Sequence, residues 1–258
     1  GRFDLGEPHY GRALQLNPEY AEAHSNLAFL LSSQGKAAEA AEHANRAIEI
    51  NPRLVDAYLN LAEVETSRRR YEAVLRTLDM LRTFAPEHPA ALSAYAKALR
   101  YLERNEEALG YAQRAVAHTP QNAEAQQTLA TVLQALGQTD EALAAFTRAA
   151  ELPGAVAEEA LIGRATLLME AGRKEAGHAA FAEALQAFPD SALALVGRAD
   201  ARTFKPDDPD FAVLEAFLAD GERRSLADRI AVHFALGKAY MDVGDSVRAF
   251  AHLNQGNR

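Results

Sequence analysis

The stretch AEAHSNLAFLLSSQGKAAEAAEHANRAIEINPRL, residues 21–54, returns in altered form three times: VDAYLNLAEVETSRRRYEAVLRTLDMLRTFAPEH from Val55, PAALSAYAKALRYLERNEEALGYAQRAVAHTPQN from Pro89 and AEAQQTLATVLQALGQTDEALAAFTRAAELPGAV from Ala123. Pro18, Pro52, Pro86 and Pro120 set the register, each 34 residues after the last, with Pro153 and Pro189 following more loosely. A period of this size signals stacked copies of one supersecondary unit. Counted from the first residue of each copy, positions 4, 7 and 11 carry large or apolar residues (Tyr58, Leu61; Leu92, Tyr95, Leu99; Leu129, Leu133), the stripe of one helical face. Near position 15 Gly35 and Gly137 supply the left-handed conformation that ends a helix. A second helix then carries alanine at positions 20 and 27 (Ala40, Ala47; Ala108, Ala115; Ala142, Ala149), small enough for helices to approach closely, and the proline at position 32 stops it.

Outward from these four copies the pattern continues with departures. Residues 158–191 make a fifth unit through Gly172, Phe181, Ala184 and Pro189, displaced by one residue after Pro153. A sixth, 192–224, is irregular: its first helix runs into Thr203-Phe-Lys-Pro-Asp-Asp-Pro-Asp210, which predicts a long loop. Asp208 then caps and Pro209 opens a helix bearing Phe211, Leu214, Phe217 and Leu218, which Gly221 closes. The last unit, 225–258, starts with a capping pattern at Ser225 to Asp228 and carries His233, Leu236, Gly237 and Tyr240 before Gly244. At the other end, residues 1–20 read as the second helix of a unit whose first helix is missing, with Gly1 at its turn, the helix starting near Glu7 and the residues before it fraying. A chain cut inside repeats at both ends is expected to be a segment of a longer protein.

Leu or Tyr at position 4, Leu-Ala at 7 and 8 (Leu27-Ala28, Leu61-Ala62, Leu129-Ala130), Ala at 20 and 27 and Pro at 32 resemble the tetratricopeptide repeat. The resemblance covers most of the chain and implies an all-α, right-handed superhelical solenoid over residues 1–258, with a concave groove lined by first-helix positions 2, 5, 6, 9, 12 and 13. Asp228 to Tyr240 and Arg248 to Arg258, with the Pro-Asp-Asp-Pro-Asp loop before them, are in turn similar to the last repeats of bacterial proteins in which such an array precedes a sulfotransferase domain. That likeness implies a substrate-recognition arm whose catalytic domain would lie beyond Arg258.

Composition narrows the chemistry. A charge of −9 disfavours a protein that works by neutralising phosphates, so no nucleic-acid partner is expected. No apolar run approaches the eighteen or so residues of a membrane span. Zero Cys removes thiolate zinc sites, iron–sulfur clusters and a cysteine nucleophile together. The eight His form no pair at helical metal-ligand spacing with a carboxylate as third ligand, and no glycine-rich phosphate loop or hydrolase triad is recognisable. Hence no catalytic residue, metal or cofactor is expected in this segment, and a cytoplasmic location is. Arg68-Arg69-Arg70, the densest basic run, reads as a solvated turn between helices.

The implied groove holds Asn26, Phe29, Asn60, Glu63, Lys97, Arg100, Tyr101, Gln127 and Thr131 as candidate ligand contacts, beside Ser25 and Thr128 at neighbouring groove positions. Asn26 and Asn60 share position 6, where an amide both donates to and accepts from an extended backbone, but Ala94 and Thr128 break the ladder. Ser25 and Phe29 stand where a clamp for acidic chaperone tails would need Lys and Asn. The expected role is a non-catalytic scaffold that binds a protein or extended peptide, with Lys97 and Arg100 drawing an acidic group toward mid-array and with self-association through exposed end repeats.

Overall fold

The computed structural model describes residues 6–257, so the expectations for Gly1, for fraying before the first helix and for Arg258 lie outside the described residues. Among those residues there are fifteen α-helices, one short 3-10 turn at Gly221–Arg223 and no strand. The chain divides into two compact units at the Gln138–Thr139 junction, inside the fourth repeat.

In the first unit α1 (Gly6–Leu16) precedes three complete hairpins and a further first helix: α2 (Ala21–Ser33) with α3 (Ala37–Ile50), α4 (Val55–Ser67) with α5 (Tyr71–Arg82), α6 (Pro89–Tyr101) with α7 (Asn105–His118), then α8 (Ala123–Ala135). Pro8 sits in the first turn of α1, where a missing N–H costs nothing. The small positions behave as the pattern requires: Ala28, Ala40, Ala47, Ala96, Ala108 and Ala115 are fully buried, so backbones close over methyl groups rather than over long side chains.

Position 15 ends the regular first helices in the same way. Gly35, Gly137, Gly172 and Gly244 lie at φ between 71° and 79°, and in the second and third repeats Arg69 (φ 56°) and Glu103 (φ 60°) take up the same left-handed conformation. The hydrogen bonds explain why. The position-15 N–H reaches back three residues (Arg69 to Thr66 O, 2.9 Å) and the next N–H five (Arg70 to Glu65 O, 2.9 Å), closing the last free carbonyls. That geometry demands positive φ whatever residue occupies it.

The proline turns between repeats have their own fastening. The carbonyl of Pro18 receives His24 Nε2 at 3.1 Å, that of Pro52 the Tyr58 hydroxyl at 3.0 Å and that of Pro120 the Gln126 amide at 3.1 Å. His, Tyr and Gln all stand at position 4. Where that position is Leu92, the Pro86 carbonyl accepts from Arg114 of α7 instead, at 3.4 Å. The stripe therefore mixes core packing with a donor for the preceding turn.

The second unit contains α9 (Thr139–Glu151), α10 (Ala157–Glu170), α11 (Lys174–Ala187), α12 (Ala192–Asp200), α13 (Asp210–Ala219), α14 (Leu226–Asp242) and α15 (Ser246–Gly256). The long loop after α12 is held by ions and rings rather than by a glycine turn. Asp210, buried, accepts from Arg198 at 2.7 Å and Arg202 at 2.8 Å; Arg202 also bonds Asp208, whose other oxygen accepts the Asp210 N–H at 3.0 Å. Phe204 turns inward, its ring 5.1 Å from Phe211, and its N–H donates to Asp242 at 3.1 Å. Ser225 caps α14 through the Asp228 N–H at 3.1 Å.

Candidate functional site

Two adjoining depressions mark the first-helix face of the first unit. One, of about 200 Å³, is lined by Leu59, Glu63 and Thr66 of α4, Ser93 and Lys97 of α6 and Glu124 of α8, among others. The other, of about 250 Å³, is lined by Phe29, Ser32 and Ser33 of α2 with Asn60, Glu63 and Ser67 of α4. Glu63 lines both. Apart from Thr119 and Asn122 of the turn before α8, the lining comes from first helices, because successive first helices lie side by side, α2 against α4, α4 against α6 and α6 against α8.

The candidate contacts do not share one environment. Asn26 is exposed, and the Phe29 ring is 56% exposed to solvent. Asn60 is committed: its amide donates to Ser25 O at 2.9 Å and Ser25 Oγ at 3.0 Å, tying α4 to α2. Ser25 and Thr128, expected on the groove surface, are buried beneath it, and the Thr128 hydroxyl returns to the Glu124 carbonyl. Lys97 does not supply the free positive charge expected of it, and Arg100 keeps its charge over a ring. Lys97 is paired with Glu124, and the Arg100 guanidinium lies 4.2 Å from the Tyr101 ring centroid, with Tyr101 itself stacked on Tyr71 at 4.5 Å. Gln127 is half-buried, and Thr131 donates to Thr128 O at 2.9 Å. Glu22, Asp56 and Glu63 are exposed, and no cation among the described residues pairs with them. The face is acidic.

Arg68 and Arg70 lie in the turn, as the run suggested, and both lean on the buried Glu65 carboxylate at 3.7 and 3.6 Å. A carboxylate already faces the cations, so the run does not present a bare anion site.

One arrangement was hidden from the sequence. His24 and His43 meet Nδ1 to Nδ1 at 2.8 Å with ring centroids 5.0 Å apart, and His233 and His252 do so at 3.0 Å and 5.3 Å. Each pair joins position 4 of a first helix to position 23 of a second, a separation no helical spacing search would find. The Pro18 carbonyl accepts only, so His24 carries its proton on Nε2 and its Nδ1 accepts from the His43 Nδ1–H. Centroids that far apart for so short an N···N contact mean the rings meet head-on, the geometry of a shared hydrogen bond rather than of two lone pairs converging on one ion. Burial holds His43 and His233 below the usual imidazole range, each helped by its partner ring; burial does the same to His252. Among the described residues no three His, Asp or Glu converge to hold a metal, and no helix is long and apolar enough to cross a membrane.

Side-by-side helical hairpins of 34 residues, closed by left-handed turns and proline-marked junctions, define an all-α repeat protein. Two family models described as tetratricopeptide repeat match the chain, one at residues 31–98 and 99–152, the other at 1–54, 127–192 and 162–203. The chain belongs to the tetratricopeptide-repeat family. No curated protein matches it. Among solved structures it is similar to YrrB, described as a TPR protein with an unusual peptide-binding site (25% identity, TM-score 0.52, covering 72% of this chain and 95% of that one). It is also similar to TTC0263, a thermophilic TPR protein of Thermus thermophilus (23% identity, TM-score 0.61, 70% and 98%), and to the APC/C hetero-tetramer Cut9–Hcn1 (18% identity, TM-score 0.63, 99% and 50%). The family-model matches end at residue 203, and none of these proteins bears on the sulfotransferase likeness of residues 228–258.

Proposed function

We propose that this chain is a non-catalytic binding module whose first unit receives an extended protein segment along the first-helix face. The observation that carries this reading is the pair of adjoining depressions that meet at Glu63, spanning α2 to α8 and floored by short side chains. An extended backbone fits such a surface because polar groups recur at each helix step while side chains drop into the hollows. The peptide-binding site named for YrrB gives the same reading support from a relative.

Selection from a library of displayed random peptides tests it. Peptides captured by the chain should lose capture when the groove is blocked by Ser93→Arg or Ala90→Arg, with helicity unchanged. Capture that survives both substitutions puts the binding surface elsewhere.

A second reading has its own observation. Val247 and Phe250 of α15 are 82% and 72% exposed, an apolar strip that another hairpin would cover, which favours self-association. Sedimentation should then show mass rising with concentration, and Phe250→Glu should abolish the rise. The further alternative, a recognition arm of a sulfotransferase, rests only on the sequence likeness of the Pro206–Asp210 loop, the helix after it and residues 228–258.

A further inference from the structure

The groove of the first unit has a composition that selects its occupant. The exposed Phe29 ring and the Glu63 carboxylate line one hollow, whose other walls are the hydroxyls of Ser32, Ser33 and Ser67 and the committed amide of Asn60. A guanidinium or ammonium group satisfies both features at once, giving its charge to the carboxylate and its face to the ring, while its methylene stem covers apolar edge. An acidic side chain satisfies neither. Its charge would meet Glu63 in the hollow, with Glu22 and Asp56, with which no cation among the described residues pairs, on the same two helices. Of the cations that might have reversed this sign, Lys97 is paired with Glu124, and Arg100, which keeps its charge over the Tyr101 ring, lines neither hollow.

We propose that the segment bound by this chain is basic, and that one of its arginine or lysine side chains occupies the hollow between α2 and α4 against Phe29 and Glu63. This rests on the groove reading above and goes beyond it in fixing the chemistry of the partner. Ring and carboxylate together give a specificity that a diffuse acidic surface would not, because only the first depends on an aromatic side chain.

Titration at low ionic strength tests it, using a fluorescein-labelled peptide of alternating glycine and arginine against its glycine–glutamate counterpart, with anisotropy as readout. The arginine peptide should bind and the glutamate peptide should not. Phe29→Ala and Glu63→Gln should each weaken the arginine peptide by about threefold and together by about tenfold, the combined scale of a cation–π contact and a partly exposed ion pair. Both side chains are exposed, so the midpoint of unfolding should stay put and serve as the folding control. Glu72→Gln, an exposed carboxylate on the second helix α5 outside both depressions, should change nothing. Preference for the glutamate peptide overturns the proposal, as does arginine-peptide binding indifferent to Phe29→Ala. If displayed peptides are still lost on Ser93→Arg or Ala90→Arg, the groove reading outlives that failure; if they are not, both fall.

Discussion

The two units build the same contact with opposite sizes. In each repeat, position 24 of the second helix precedes position 6 of the next first helix. The first unit pairs Ala44 with Asn60, Leu78 with Ala94 and Ala112 with Thr128; the second pairs Phe146 with Gly163 and Phe181 with Gly197. A Cβ added to Gly163 would sit 2.6 Å from a Phe146 ring carbon, and one on Gly197 2.6 Å from Phe181, so those glycines are required by the rings above them. As the residue at position 24 grows, the one at position 6 shrinks. Position 6 in the second unit is therefore consumed by packing. In the first, small residues at position 24 leave room for larger side chains such as Asn60 and Thr128. The interrupted asparagine ladder is the same rule read from the other side: Leu78 calls for Ala94.

The largest effect expected from breaking the comparison lies in the second unit's irregular corner. Asp210→Ala leaves Arg198 and Arg202 facing each other without their shared carboxylate, and should cost about 3 kcal/mol, the lower end for a buried pair because both arginines keep some water. A loss of unfolding free energy in urea of less than a third of that would show the network to be ornamental. In the first unit Ala28→Leu should cost about 1–3 kcal/mol, because Ala28 is fully buried beside Ala40 and Ala44 and a close-packed contact resists three more carbons. Retained stability there would undo the assignment of the close-packing positions.

The size rule itself is sharpened by a double-mutant cycle. Gly163→Ala should destabilise by about 1–2 kcal/mol, overpacking against Phe146 exceeding the helix-propensity gain. Phe146→Leu with Gly163→Ala copies the Leu78 and Ala94 of the first unit and should recover most of that loss. Strict additivity in the cycle would sever the two positions.

Acid should weaken both units through their histidine pairs. His43, His233 and His252 are held by burial below the imidazole value of 6.5 that applies when unfolded. The unfolded chain therefore binds more protons as pH falls from 6.5, so stability is full above that value and declines below it. Urea midpoints taken from about pH 7.5 to about pH 5.5 should fall. His24→Gln keeps a donor for the Pro18 carbonyl, as Gln126 does for Pro120, while removing the ring that helps to hold His43 neutral, so its decline should be shallower. A midpoint indifferent to pH across this range would rule the pairs out as the source. The smallest effect is a gain: Arg69→Gly or Glu103→Gly should stabilise by about 0.5–1 kcal/mol, relief of a left-handed side chain exceeding the entropy cost of glycine.

Much of this was legible without coordinates. The 34-residue register of Pro18, Pro52, Pro86 and Pro120, the alanines at positions 8, 20 and 27 and the turn at position 15 fixed helix order and hairpin pairing, because a repeat cannot bury its stripe except against its neighbours. The turn was legible even at Arg69 and Glu103, where glycine is missing, since the surrounding register dictated it. What the sequence could not carry were relations between helices separated by most of a repeat. His24 with His43, Asn60 with Ser25, Lys97 with Glu124 and Arg198 with Asp210 join residues from 12 to 35 positions apart, across separations with no helical or strand period. These contacts decide which candidate groove residues remain available, and so the sign of the surface. Periodicity records which way a side chain faces along its own helix; whether a neighbouring charge or ring has already taken it is settled only when the helices are stacked.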